Sequence, residues 1–165
     1  MSKVDSIHTH LMFKSLSLSQ LQLYLDQGLF RIRRFAKGEI IHMEGDECQS
    51  FDFIIEGQVM IDRIDEQGNL LSIVTFSEGD TLGGNVLYSK RPLYLMTISA
   101  KLPTILLSIK KEAVTQLLKS DPDFLFHFIG DISDRATILG QRIKRYSTKS
   151  LRNKLMDYLR HTYAK

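Results

Sequence analysis

The spacing of apolar positions changes twice along the chain. Residues 15–30, SLSLSQLQLYLDQGLF, place Leu18, Leu21 and Leu25 on one helical face, with Ser15 or Ser17 as the cap and Gly28 as the stop. The alternation in LSLSQLQLYL would also suit a strand. The polar stretch ahead of it reads as a loose lead-in. From Phe30 to about Ile109 the pattern turns to short apolar or alternating runs, among them FDFII, QVMIDRI, LLSIVTF and TILLSI. Glycine-bearing turns such as Lys37-Gly38, Glu56-Gly57 and Glu78-Gly79-Asp80 cut these runs apart. Short strands at near-even spacing predict an antiparallel sandwich or roll. Gln67-Gly68-Asn69, between two of the runs, is a hairpin signal.

Beyond Ile109 the period becomes helical. Lys111 to Lys119 predicts a short helix, and Pro122 suits the first turn of a second one that reaches about Tyr146. Leu125, Ile129, Ile132, Ala136, Leu139, Ile143 and Tyr146 alternate steps of four and three, the seam of a helix paired with a copy of itself. A second stripe, Phe124, Phe128 and Ile138, would pack back on the β body. Gly130 and Gly140 interrupt this helix at about 1 kcal/mol each relative to Ala. After Ser147-Thr148-Lys149-Ser150 a last amphipathic helix is expected from Leu151 to about Tyr163.

Composition narrows the class. At 165 residues, 43% hydrophobic and 25% charged, the chain suits one domain with a core and a short appendage. No apolar run approaches the roughly 18–20 residues of a membrane span. The start carries no apolar signal-like segment. A lone cysteine, Cys48, excludes an internal disulfide framework and a four-cysteine metal site. A cytoplasmic setting is expected. The formal charge of +3 is uneven: from Arg135 onward nine basic residues face the carboxylate of Asp157 alone. A basic end on an acidic body fits nucleic acid nearby or a solvated helix face.

The glycine-anchored phrases FAKGEIIHMEGD, DFIIEGQVMI and FSEGDTLGG, followed by KSDPDFLFHFIGDISDR, resemble the sensor half of the CRP/FNR family of bacterial transcription regulators. The resemblance runs from about Leu16 to the end. It implies a mainly β fold with α elements: an antiparallel, jelly-roll-like β-roll of the cyclic-nucleotide-binding type, with an N-terminal helix and a long C-terminal dimerisation helix. It divides the chain into an effector-sensing β-roll (1–120), a dimerisation helix (121–146) and the first helix of a DNA-binding domain (147–165). It implies a homodimer with an unknown small-molecule effector, contacting DNA only through a helix-turn-helix absent from these residues and contacting no membrane.

In relatives that bind cyclic AMP, a glycine-led turn offers backbone N–H groups and a Glu, and an Arg follows on the next strand to hold the phosphate. By resemblance that cassette falls on Thr81 to Tyr88. The Glu position is held by Gly84, and the Arg position by Tyr94, or by Leu93 if the loop is one residue shorter. The neighbouring hydroxyl position is Leu95, and the adenine-facing positions of the long helix are Leu139 and Gly140. Each change removes a polar contact; losing a hydrogen bond to a charged group costs about 1.5–3 kcal/mol. Cyclic AMP binding in the usual mode is therefore disfavoured. The candidate ligand residues are Gly83, Gly84, Asn85, Val86, Leu87, Tyr94, Leu95, Val74, Phe76 and Leu139. They either receive a small apolar or aromatic effector or fill the pocket themselves. Lys90 and Arg91 read as solvated turn residues beside Pro92.

Other chemistry is less well supported. His8 and His10 alone do not make a metal site. A haem sensor would draw axial ligands from His42, His127 or Cys48, but Cys48 sits in the polar turn Asp46-Glu47-Cys48-Gln49-Ser50, where an exposed thiol is expected. No nucleophile elbow, P-loop or His-Glu-x-x-His helix is present, so an enzyme is not expected. A stand-alone module acting on a protein partner is the alternative from another class.

Overall fold

A computed structural model describes residues 7–8, 10–64 and 70–147, with side chains over 7–8, 10–61 and 74–141. Two compact units emerge, Met1–Ile129 and Gly130–Lys165. In the first, a 3-10 turn (Leu11–Phe13) precedes helix α1 (Leu18–Asp26). Ser17 caps α1 through a reciprocal capping box with Gln20. Only Leu21 of its apolar face is fully buried. The lead-in is not loose: Ile7, Met12, Phe13 and Leu16 are all buried, because this short stretch supplies core side chains that its polar neighbours mask in the sequence.

Eight strands follow among the described residues: β1 (Phe30–Phe35), β2 (Ile40–His42), β3 (Ser50–Glu56), β4 (Gln58–Ile64), β5 (Leu70–Ser77), β6 (Thr81–Leu82), β7 (Thr97–Ala100) and β8 (Thr104–Lys110). They form two four-stranded sheets, β1-β8-β3-β6 and β2-β7-β4-β5, with every pairing antiparallel. The expected roll is the observed one. β4 and β5 pair as the hairpin signal requires, although its turn, 65–69, lies outside the described residues. Gly57 joins the two sheets at φ +98°, and a Cβ there would meet Pro103 O at 2.3 Å, so only glycine fits.

Side-chain alternation gives the first sheet two different faces. On one, Phe51 and Phe53 meet a layer of rings: Phe13 lies edge-on to Phe53 at 5.2 Å, and Phe128 tilts against Phe51 at 5.2 Å. On the other, Ile54 and Leu106 are fully buried, and further along the same strands come Asp52, Ser108 and Lys110. That second face passes from dry core to polar groups, and the polar half positions the site.

Helix α2 (Lys111–Ser120) buries Ala113, Val114 and Leu117. Helix α3 (Pro122–Ser147) begins with the Phe124 amide donating to the Asp121 carboxylate at 3.0 Å. The stripe expected to cover the β body divides: Phe124 and Phe128 are buried, whereas Ile138 is half exposed. The unit boundary accordingly falls inside α3, after Ile129. In the second unit Arg135 forms a two-pronged pair with Asp131, at 2.9 and 3.2 Å. The helix expected from Leu151 lies outside the described residues. No described helix is long and apolar enough to cross a membrane.

Candidate functional site

The cassette is built around Gly83. After β6 the chain turns at Gly83 (φ +81°), and the amides of Val86 and Leu87 both donate to its carbonyl at 2.9 Å. A Cβ at Gly83 would lie 2.8 Å from Ser50 O, 3.2 Å from Cys48 Sγ and 3.4 Å from the Tyr94 hydroxyl. Glycine is required both by its φ and by this crowding. Thr81, Leu82 and Leu87 are buried, and so are Gly83 and Gly84.

Tyr94 closes the space beneath this turn. Its ring stacks on His42 at 4.2 Å with a 16° interplanar angle, and its side chain is only 4% exposed. The Cys48 thiol donates to the Tyr94 hydroxyl at 3.4 Å, with Ser50 O and Gly83 O as alternative acceptors at 3.4 and 3.7 Å. The loop is pinned by the backbone: Tyr94 donates to Asp46 O at 2.9 Å, Gly45 to Tyr94 O at 2.9 Å and Cys48 to Pro92 O at 2.6 Å. Behind His42, Asp52 is wholly buried, 2.5 Å from His42 Nε2, and it accepts from the Ser50 hydroxyl at 3.1 Å.

These surroundings set the protonation states. Burial pushes the Cys48 thiol above its ordinary pKa of 9.0, and the Tyr94 hydrogen bond opposes this only in part. Burial drives the Tyr94 phenol far up, and the nearby Asp52 carboxylate adds to the effect. Both groups hold their protons near neutrality, so the cassette floor offers a neutral hydroxyl and a neutral thiol.

Of the candidate ligand residues, the structure brings Gly83, Gly84, Leu87 and Tyr94 together. Val86 is half buried and Asn85 exposed on the same turn. Val74 and Phe76 are half buried on β5, opposite Ile61 and Val59. Leu95 is 76% exposed, since the chain leaves the buried position of Tyr94 there, and Leu139 is 59% exposed on α3. Cys48 is the clear correction: the thiol expected in solvent is 1% exposed, because the loop turns it inward beneath Gly83. The sequence reading missed Asp52 altogether. Its one signal was a carboxylate inside the apolar strand run FDFII, a position that needs a buried partner.

Comparison with known proteins matches residues 32–121 to the cyclic nucleotide-binding domain family. The chain belongs to that family. The resemblance to CRP/FNR regulators holds as well. The cAMP-activated global transcriptional regulator CRP of Pasteurella multocida is 28% identical over 100 residues, 61% of this chain and 47% of that protein. A transcriptional regulator of Thermotoga maritima superposes with TM-score 0.69 at 24% identity, covering 78% of this chain and 98% of that one. The sensor domain of the regulator DNR from Pseudomonas aeruginosa gives TM-score 0.67 at 24% identity, covering 85% and 90%. The chain spans about half the length of the curated relatives it matches.

Proposed function

We propose that this chain is the effector-sensing and dimerising part of a CRP/FNR-like transcription regulator whose cassette does not use the usual cyclic AMP contacts. The observation that carries this is Tyr94: the position that resemblance assigns to the phosphate-binding Arg holds a buried, neutral phenol stacked on His42. Gly84, at the position of the Glu, offers no side chain to a ribose hydroxyl. Val74, Phe76, Val86 and Leu87, the apolar residues that resemblance assigns to the pocket, would suit a small apolar or aromatic effector. Of the haem-ligand candidates His42, His127 and Cys48, the first and last are already engaged with Asp52 and Tyr94.

The partner is a second copy of the chain, joined along Leu125, Ile129, Ile132, Ala136, Leu139, Ile143 and Tyr146. Supporting this, Ile129 and Leu139 are 50% and 59% exposed in the single chain. Effector occupancy would shift the population between two arrangements of the paired helices and so reposition helix-turn-helix segments that contact DNA. Calorimetric titration with cyclic AMP and cyclic GMP tests the cassette reading. No binding heat from either is expected; tight binding of cyclic AMP would return the cassette to the ordinary cyclic-nucleotide mode.

A further inference from the structure

A cleft of about 820 Å³ opens on the polar half of the first sheet, lined by Arg31, Arg33, Ser108, Lys110, Lys111 and Ser50 among others. None of the candidate effector residues lines it. Strand register sets its floor: Arg31 lies directly opposite Ser108, and Ser108 directly opposite Asp52. Arg31 and Arg33 stand two residues apart on one strand, so both guanidinium groups rise from the same face about 7 Å apart at the backbone.

Three features make this more than a charged surface. Four cations, Arg31, Arg33, Lys110 and Lys111, meet there with only two lining carboxylates, Glu47 and Glu112. Among the described residues none of the four forms a salt bridge; Arg33 lies over the Phe35 ring at 4.7 Å, and Lys111 over Tyr88 at 5.4 Å. The Glu47 carboxylate is drawn aside by Gln49 Nε2 at 3.2 Å, and the Asp52 carboxylate is spent on His42 and Ser50. Finally, the Ser108 hydroxyl is buried at the cleft floor and has no hydrogen-bond partner, a cost the fold bears without internal return.

We propose that this cleft, which borders the cassette cluster at His42 and Cys48, is a second ligand site that takes a phosphorylated small molecule. Arg31 and Arg33 clamp the phosphate oxygens in their planar forks, Lys110 adds charge at the rim, and the Ser108 hydroxyl donates to the innermost oxygen. The volume exceeds what a bare phosphate fills and suits a phosphate carried on an organic body. Glu47 and Gln49 then face that body with acceptors for hydroxyl or amine hydrogens.

Inorganic pyrophosphate is the probe, titrated calorimetrically into the whole chain at fixed ionic strength. Binding should weaken about tenfold with Arg31→Gln or Arg33→Gln, and about fivefold with Ser108→Ala. Lys119→Gln, on the exposed side of α2 and outside the cleft, should leave it unchanged. Thermal melts of the variants establish that each is folded. Amide spectra should place the perturbation on β1 and β8. Absence of pyrophosphate binding, binding indifferent to Arg33→Gln and Ser108→Ala, or an equal loss with Lys119→Gln would overturn the proposal; the last result means diffuse charge attraction.

Discussion

Asp52 is fully buried, and it remains tolerable there because His42 and Ser50 supply two hydrogen bonds. Asp52→Ala would strand the imidazole of His42 and should lower stability by about 3 kcal/mol, read as a fall in urea midpoint at constant slope. The same substitution at two glycines should have opposite signs. Gly83→Ala forces a Cβ to 2.8 Å from Ser50 O at positive φ and should cost about 1–3 kcal/mol. Gly130→Ala, with open space around the added carbon, should gain up to about 1 kcal/mol in helix stability. The raised Cys48 and Tyr94 pKa values also carry a pH signature. Their protonated forms are favoured by folding, so this stability is intact below about pH 9 and is lost as pH rises toward the folded-state values. Denaturant midpoints should therefore fall as pH rises past about 9, and Cys48→Ala should flatten the thiol's share. Little of this was legible in the sequence. The polar neighbours of Cys48 describe the loop, whereas the inward turn of its thiol depends on Gly83 and Tyr94, distant in sequence.

Among the elements, the helices and strands were legible because their periods are written in local residues. The Ser17 cap, the β4–β5 pairing and the Pro122 helix start all stand as their local signals require. What period alone could not supply was how far each stripe is covered. Phe124 and Phe128 find the rings of Phe13 and Phe51, while Ile138 on the same stripe stays half exposed. The seam of α3 carries its own prediction. Ile132→Asp combined with Leu139→Asp would set carboxylates in an apolar seam and should convert a dimer to monomers in sedimentation. Unchanged dimers would place the interface elsewhere.

For the whole molecule, the order of glycine-anchored phrases was enough to read the roll and its family, since each glycine marks a turn between strands. The cassette departures at Gly84, Tyr94 and Leu95 rest on resemblance, and the structure adds what surrounds Tyr94. Tyr94, His42, Cys48 and Asp52 form one buried, neutral-topped cluster beneath the Gly83 turn. In the proposed register, a cyclic nucleotide seated in the usual mode would need a cation where this phenol lies. The most direct test is the labelling rate of Cys48 by a thiol reagent in the folded chain, with and without saturating cyclic AMP. A closed cluster predicts slow labelling, limited by unfolding and indifferent to cyclic AMP. Rapid labelling of the folded chain, or a rate that cyclic AMP changes, would contradict it.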